Sequence, residues 1–200
     1  MLNKLADVDE NGVFKCDIPK KSQRFFKVAD RLLSGRLCIS SMSLAALKQV
    51  LYHTIRYSQQ RLAVGESGKS DTPIMSYQLQ QNAILPLLAK TVVYNIGHNV
   101  AKNIFAEPKG HENEMIRIFC VVKSMMGWHF EQTSSICRER CGGGSYLSHS
   151  VIPEGIAGSH SAMTAEGDNR VLMQKVVKDI ITDIQKKIHK MPNLTQCPVR

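Results

Sequence analysis

Apolar residues recur at three- to four-residue steps along most of the chain, the period of a helix with one buried face. From Arg36 to about Val64 they are Leu37, Leu44, Leu47, Leu51, Ile55 and Leu62, with one wider gap before Leu62. This pattern predicts an amphipathic helix of about eight turns. Gly65–Pro73 (GESGKSDTP) breaks it, because Gly, Ser, Asp and Pro cluster there. A second helix is predicted from about Met75 to Ala106, kinked where Pro86 removes a backbone donor. Glu107-Pro108-Lys109-Gly110 reads as a loop. A third helix is expected over Glu112–Cys141, with Met115, Phe119, Val122, Met126 and Phe130 on one stripe and Gly142-Gly143-Gly144 as its stop. Residues 145–163 read as an irregular polar crossover. The fourth helix begins near Asn169, capped by Asp168, and repeats Leu172, Val176, Ile180, Ile184 and Ile188 at strict four-residue spacing. No hairpin signal is evident. The pattern therefore predicts an all-α fold, a four-helix bundle over 23–190, after an irregular connector (1–22) and before a flexible tail (191–200) that holds Pro192 and Pro198.

Composition changes this picture little. The 200 residues are 43% hydrophobic and 22% charged, ordinary for a globular chain and unlike a disordered or collagen-like one. No apolar run approaches the ~18 residues of a membrane span, and MLNKLADVDENG lacks the apolar segment of a signal peptide. The net charge of +9 suits either a nucleic-acid surface or a basic protein with an anionic substrate. Aromatic residues are only 6% and the basic ones are dispersed, which argues against a stacking platform for single strands. The cysteines (Cys16, Cys38, Cys120, Cys137, Cys141, Cys197) are read as reduced thiols, since disulfide frameworks belong to short secreted chains. Cys137 and Cys141 lie four apart, but no second Cys or His pair follows at zinc-site spacing, so no metal is expected. Asn193-Leu194-Thr195 fits a glycosylation pattern by chance.

One motif is rejected. Ala63–Ser70 (AVGESGKS) satisfies a loose phosphate-binding loop, with Ala in place of the first Gly. That loop needs a buried strand before it and a helix beginning at its Lys-Ser, so that backbone N–H groups face the phosphates. The preceding residues read as polar helix, and Pro73 interrupts a helix starting at Lys69.

Three separated segments resemble the peroxisomal acyl-CoA oxidases of the acyl-CoA dehydrogenase superfamily. Arg61-Leu-Ala-Val-Gly65, followed by Tyr77-Gln78, is similar to the family's Arg-x-x-Phe-Gly…Phe-Gln pattern, lengthened as in the oxidases. Cys137-Arg-Glu-Arg-Cys141-Gly142-Gly143, with Tyr146, is similar to its Cys-Gly-Gly-x-Gly-Tyr turn. Glu166-Gly167-Asp168-Asn169 is similar to its Glu-Gly-Asp/Glu-Asn segment. MLNKLADVDENG looks like the connector that joins the family's β-domain to its C-terminal helices. Val64 stands where an aromatic is usual, and Ser145 where the last Gly is usual, at a cost of about 1 kcal/mol if that position needs a positive φ.

The resemblance implies an FAD-dependent acyl-CoA oxidase, of which this is the C-terminal helical segment. It would convert acyl-CoA to trans-2-enoyl-CoA while O2 is reduced to hydrogen peroxide, the first step of peroxisomal fatty-acid β-oxidation. The alternatives are an acyl-CoA dehydrogenase and a non-catalytic, truncated helical assembly module. Such chemistry needs a base for the α-proton, best placed as a carboxylate in an apolar slot, and an acceptor for the β-hydride, which is the flavin's own chemistry. The resemblance assigns Glu166 as that base and Gly167 as the residue that lets the thioester approach the backbone. Arg61, Gln78, Gly142 and Gly143 are implied to touch FAD held mainly by a neighbouring subunit, with at least a dimer following from that. The implied partners are acyl-CoA and O2; neither nucleic acid nor a membrane is expected. Most of the flavin site would lie in domains outside these 200 residues, so the segment alone is expected to hold little or no flavin. The peroxisomal location is likewise an implication of the resemblance; Cys197-Pro-Val-Arg200 is not a Ser-Lys-Leu address.

Overall fold

In a computed structural model, residues 6–107, 110 and 114–190 are described. The predicted tail, Glu112, and Pro108 and Lys109 of the Glu107–Gly110 loop lie outside them. The chain opens with a small antiparallel hairpin, β1 (Asp7–Val8) and β2 (Phe14–Lys15). The carboxylate of Asp9 accepts from the backbone N–H groups of Asn11 and Val13, and Gly12 supplies the positive φ of the turn. Five α-helices follow: α1 (Lys21–Gln60), α2 (Gln78–Ala106), α3 (Met115–Arg140), α4 (Val151–Thr164) and α5 (Asn169–Lys190). Among the described residues no helix is long and apolar enough to cross a membrane.

The fold is all-α, as predicted, with four long helices. The structure adds one helix, α4, to those the pattern predicts. α1 and α3 form the central pair, α2 packs against both, and α4 also packs against both; α5 lies on α3. α4 occupies the stretch expected to be irregular. Its Gly and Ser residues are packing positions rather than breakers: a Cβ on Gly155 would stand 2.7 Å from Val50 Cγ2, and one on Gly158 would touch the Phe130 ring. Pro153 sits in the first turn, where its missing N–H is not needed, and Ser150 Oγ accepts from Ile152 N as the N-cap.

Two further boundaries moved. α1 ends at Gln60, and Leu62–Val64 forms a strand, β3, paired antiparallel with β4 (Ser70–Pro73). The GESGK stretch is thus the tip of an exposed hairpin. Helix α1 runs to within three residues of the rejected phosphate-loop motif, and the short strand at its start is exposed rather than buried. A second strand instead of a helix follows Lys69, so the rejection holds on both grounds. Ser145 does not have a positive φ; its buried hydroxyl bonds the carbonyls of Arg138 and Gly142, both at 2.7 Å. Gly142 takes the positive φ at the end of α3.

The largest core cluster joins Leu47, Val50 and Leu51 of α1 to Ile84 and Leu87 of α2, Phe130 and Cys137 of α3, and Ile152 of α4. Cys137 and Cys141 belong to this core, where burial pushes the Cys137 thiol up to about 11. Among the described residues no disulfide forms and no group of three His, Cys, Asp or Glu is placed to hold a metal. The strict four-residue stripe of α5 is buried only at Leu172 and Val176, whereas Ile180, Ile184 and Ile188 are exposed. Ile180 and Ile184 line an open groove with Ile118 and Val121 of α3 rather than packing into it. Pro86 lies on the exposed side of α2, which continues through it.

Polar groups interrupt the core. His129 is buried between Thr91 Oγ1, 2.9 Å from Nε2, and Thr133 Oγ1, 3.3 Å from Nδ1. Thr91 donates its own proton to Leu87 O, which assigns the proton of the neutral ring to Nε2. Burial, with Lys90 nearby, lowers the His129 pKa to about 4.

Candidate active site at the end of helix α4

Glu166 and Gly167 form the junction between α4 and α5, and both have positive φ, 57° and 108°. Glycine adopts this region freely. Glutamate does so at a cost of about 1 kcal/mol or more, the kind of backbone strain found at functional sites. Asp168 then caps α5 as expected: its carboxylate oxygen Oδ1 accepts from the N–H groups of Arg170 (2.9 Å) and Val171 (3.1 Å).

The carboxylate of Glu166 lies across α1 at Gly35. A Cβ on Gly35 would stand only 2.5 Å from Glu166 Cδ and 2.6 and 2.8 Å from its two oxygens. Gly35 is an ordinary helical residue with no positive φ, so its missing side chain serves the space rather than the backbone. Next to it, Arg36 Nε donates to Glu166 O at 3.4 Å. Glu166 itself is exposed; the apolar slot expected around it is not formed by the described residues.

Beneath the turn lies a group that the sequence pattern did not single out. Lys123 of α3 is fully buried, and its Nζ donates to Gly167 O (2.6 Å), Asn169 Oδ1 (2.8 Å) and Met163 O (3.2 Å). Burial holds this ammonium below the ordinary lysine range, with Asp168, and more weakly Glu166, pulling it back up. Asn169 is equally enclosed: Nδ2 donates to Ser124 O, and a Cβ on Gly127 would stand 2.9 Å from it. A lysine on the buried stripe of a predicted helix was the one available sign of this cluster.

The other predicted residues gather at the opposite end of the bundle. Arg61 follows α1, Gln78 opens α2 in its first turn, and Gly142 and Gly143 follow α3; all four are exposed. Gln80 ties this end together, its buried amide donating to Ser58 Oγ (2.9 Å) and Arg140 O (3.3 Å). Nothing lies within 4 Å of where a Cβ would stand on Gly142, Gly143 or Gly144, so the backbone there is open to a close ligand. Twenty-five residues of α1 separate Gly35 from Gln60, about 37 Å of helix at 1.5 Å per residue. Glu166 and the Arg61 group therefore cannot meet in one copy of the chain.

A model of the family described as "Acyl-CoA oxidase, C-alpha1 domain" matches residues 30–181, three quarters of the sequence. The chain belongs to this acyl-CoA oxidase family. The peroxisomal acyl-coenzyme A oxidase 3 of Arabidopsis thaliana is 32% identical over 186 residues, which cover 92% of this chain and 27% of that protein. The peroxisomal acyl-coenzyme A oxidase 3 of Homo sapiens is 26% identical over 205 residues, covering 94% and 29%. The crystal structure of an acyl-CoA oxidase from Lycopersicon esculentum (tomato) superposes with a TM-score of 0.75 at 25% identity, over 98% of this chain and 31% of that one. Butyryl-CoA dehydrogenase from Megasphaera elsdenii, at 16% identity and a TM-score of 0.69 over 78% of this chain and 38% of that one, shares the fold alone. The chain spans under a third of the length of the curated oxidases it matches.

Proposed function

We propose that this segment supplies the base and part of a neighbouring cofactor site to an FAD-dependent acyl-CoA oxidase. The observation that carries the reading is the strained Glu166-Gly167 junction, held against a helix that has been cleared of a side chain at Gly35. Glu166 is the base that removes the α-proton of the acyl thioester. Gly167, exposed and without a side chain, leaves the backbone beside it open to the thioester. The strained turn aims the Glu166 side chain across α1 at Gly35, where the missing Cβ leaves room for its carboxylate. Acyl-CoA and O2 give trans-2-enoyl-CoA and hydrogen peroxide in this scheme. FAD, when bound, supplies the acceptor for the β-hydride and passes the electrons to O2.

The opposite end of the bundle has the chemistry to hold part of that cofactor. The exposed Arg61 guanidinium offers a fork suited to a pyrophosphate, Gln78 offers a neutral donor and acceptor, and Gly142 and Gly143 leave the backbone accessible. The 37 Å between the two ends supports a flavin shared across a dimer, with each chain placing Glu166 at one flavin and Arg61 at another. The net charge of +9 suits the anionic phosphates of CoA, and the relatives support a peroxisomal location.

The test is a peroxide assay on the flavin-loaded enzyme, with acyl-CoA as donor and O2 as sole acceptor. Stoichiometric peroxide is expected, and Glu166→Gln is expected to abolish turnover with flavin content near normal. Retained turnover removes Glu166 from the base role, and enoyl product without peroxide replaces the oxidase with a dehydrogenase. The 200-residue segment alone is expected to show no flavin absorbance.

A further inference from the structure

Lys123 is 0% exposed, and a lysine is almost never fully buried unless its charge has partners. An apolar residue in its place would leave three acceptors of the α4–α5 junction without this donor, so the buried charge acts on that junction. Its three hydrogen bonds all end on one short segment, at Met163 O, Gly167 O and Asn169 Oδ1. Met163 O is among the last carbonyls of α4, which have no partner within the helix, and a cation is favoured there. The bonds to Met163 and Gly167 bracket Glu166 on both sides. They span the two consecutive positive-φ residues that would otherwise relax.

We propose that Lys123 is a positioning residue for Glu166: by gripping the carbonyls on either side, it holds the strained turn and keeps the carboxylate over Gly35. Arg36 completes the grip from α1, through its bond to Glu166 O. The inference rests on reading Glu166 as the base, but the grip itself can be measured without turnover.

Hydrogen exchange on the unmodified chain is the first measurement. The amides of 163–169 should exchange well below the rate of the exposed 65–69 hairpin tip; equal rates would overturn the proposal without any variant. In Lys123→Met, exchange over 163–169 should rise about tenfold or more while 142–146 stays unchanged. Lys123→Gln, which keeps a donor, should rise less, and it decides the matter should Lys123→Met fail to fold. In the flavin-loaded enzyme, kcat per bound flavin should fall about 100-fold in Lys123→Met with KM for acyl-CoA within about threefold. A purely structural lysine would lower the melting temperature and leave kcat per bound flavin alone, and that result refutes a positioning role. Glu166→Gln runs in parallel: if it keeps turnover, the base reading fails, while the exchange data still report on the grip.

Discussion

Substituting alanine for Gly35 separates the stability of the bundle from its proposed chemistry. The new Cβ would stand 2.5–2.8 Å from the Glu166 carboxylate atoms, whereas ordinary carbon contacts begin near ~3.5 Å. The carboxylate must therefore move by about 1 Å or swing off α1. Because it is the exposed end of a flexible side chain, this displacement costs little folding free energy. Meanwhile Gly35 lies inside α1, where alanine is favoured by about 1 kcal/mol. The net expectation is a chain as stable as the original or up to ~1 kcal/mol more so, which for this size raises Tm by roughly 2–4 °C. Turnover should go the other way. A misplacement of ~1 Å in a reacting group costs about 100-fold, seen in kcat rather than KM. Melting of the purified chain and steady-state kinetics normalised to bound flavin measure the two effects. An unchanged kcat would show that the carboxylate does not act from its position over Gly35. A Tm lowered by several degrees would show that the space beside Gly35 is packed more rigidly than a free carboxylate end allows.

Acidification should weaken the fold through His129: an unfolded ring takes up a proton below pH ~6.5, while the folded one resists until about 4. That contribution is complete above pH 6.5 and is lost as pH falls toward 4; linkage gives a loss of about 2 kcal/mol by pH 5. Denaturant unfolding at pH 7 and pH 5 reads it, and His129→Gln should flatten the difference; an identical slope in the variant would refute the assignment. Asp168→Ala should cost about 1 kcal/mol, because two N–H groups of α5 lose their acceptor, and an unchanged melting curve would show the cap to be dispensable.

The bundle and its proposed site were legible to different degrees, for physical reasons. Spacing marked Leu44, Leu47 and Leu51 as a buried face because those contacts repeat with the helix itself. The Asp168 cap was legible because capping is settled within three residues. α4 was hidden, since glycine and serine report intrinsic preference, whereas Gly155 is required by Val50 on another helix. The lower half of α5 misled in the opposite direction: its isoleucines keep helical spacing, yet α3 covers only the first two turns of that stripe.

The helical class, the order of the long helices, the cap on α5 and the family motifs at both ends of the bundle can all be read from the residues in order. Each of these is encoded in local spacing or in short runs of residues. Helix packing sets the rest: Gly35 clears a place for a carboxylate 131 positions later, Lys123 binds the carbonyls beside it, and Glu166 stands some 37 Å of helix away from Arg61. Contacts between residues far apart in the chain depend on how helices pack, and no periodicity within one helix carries that information.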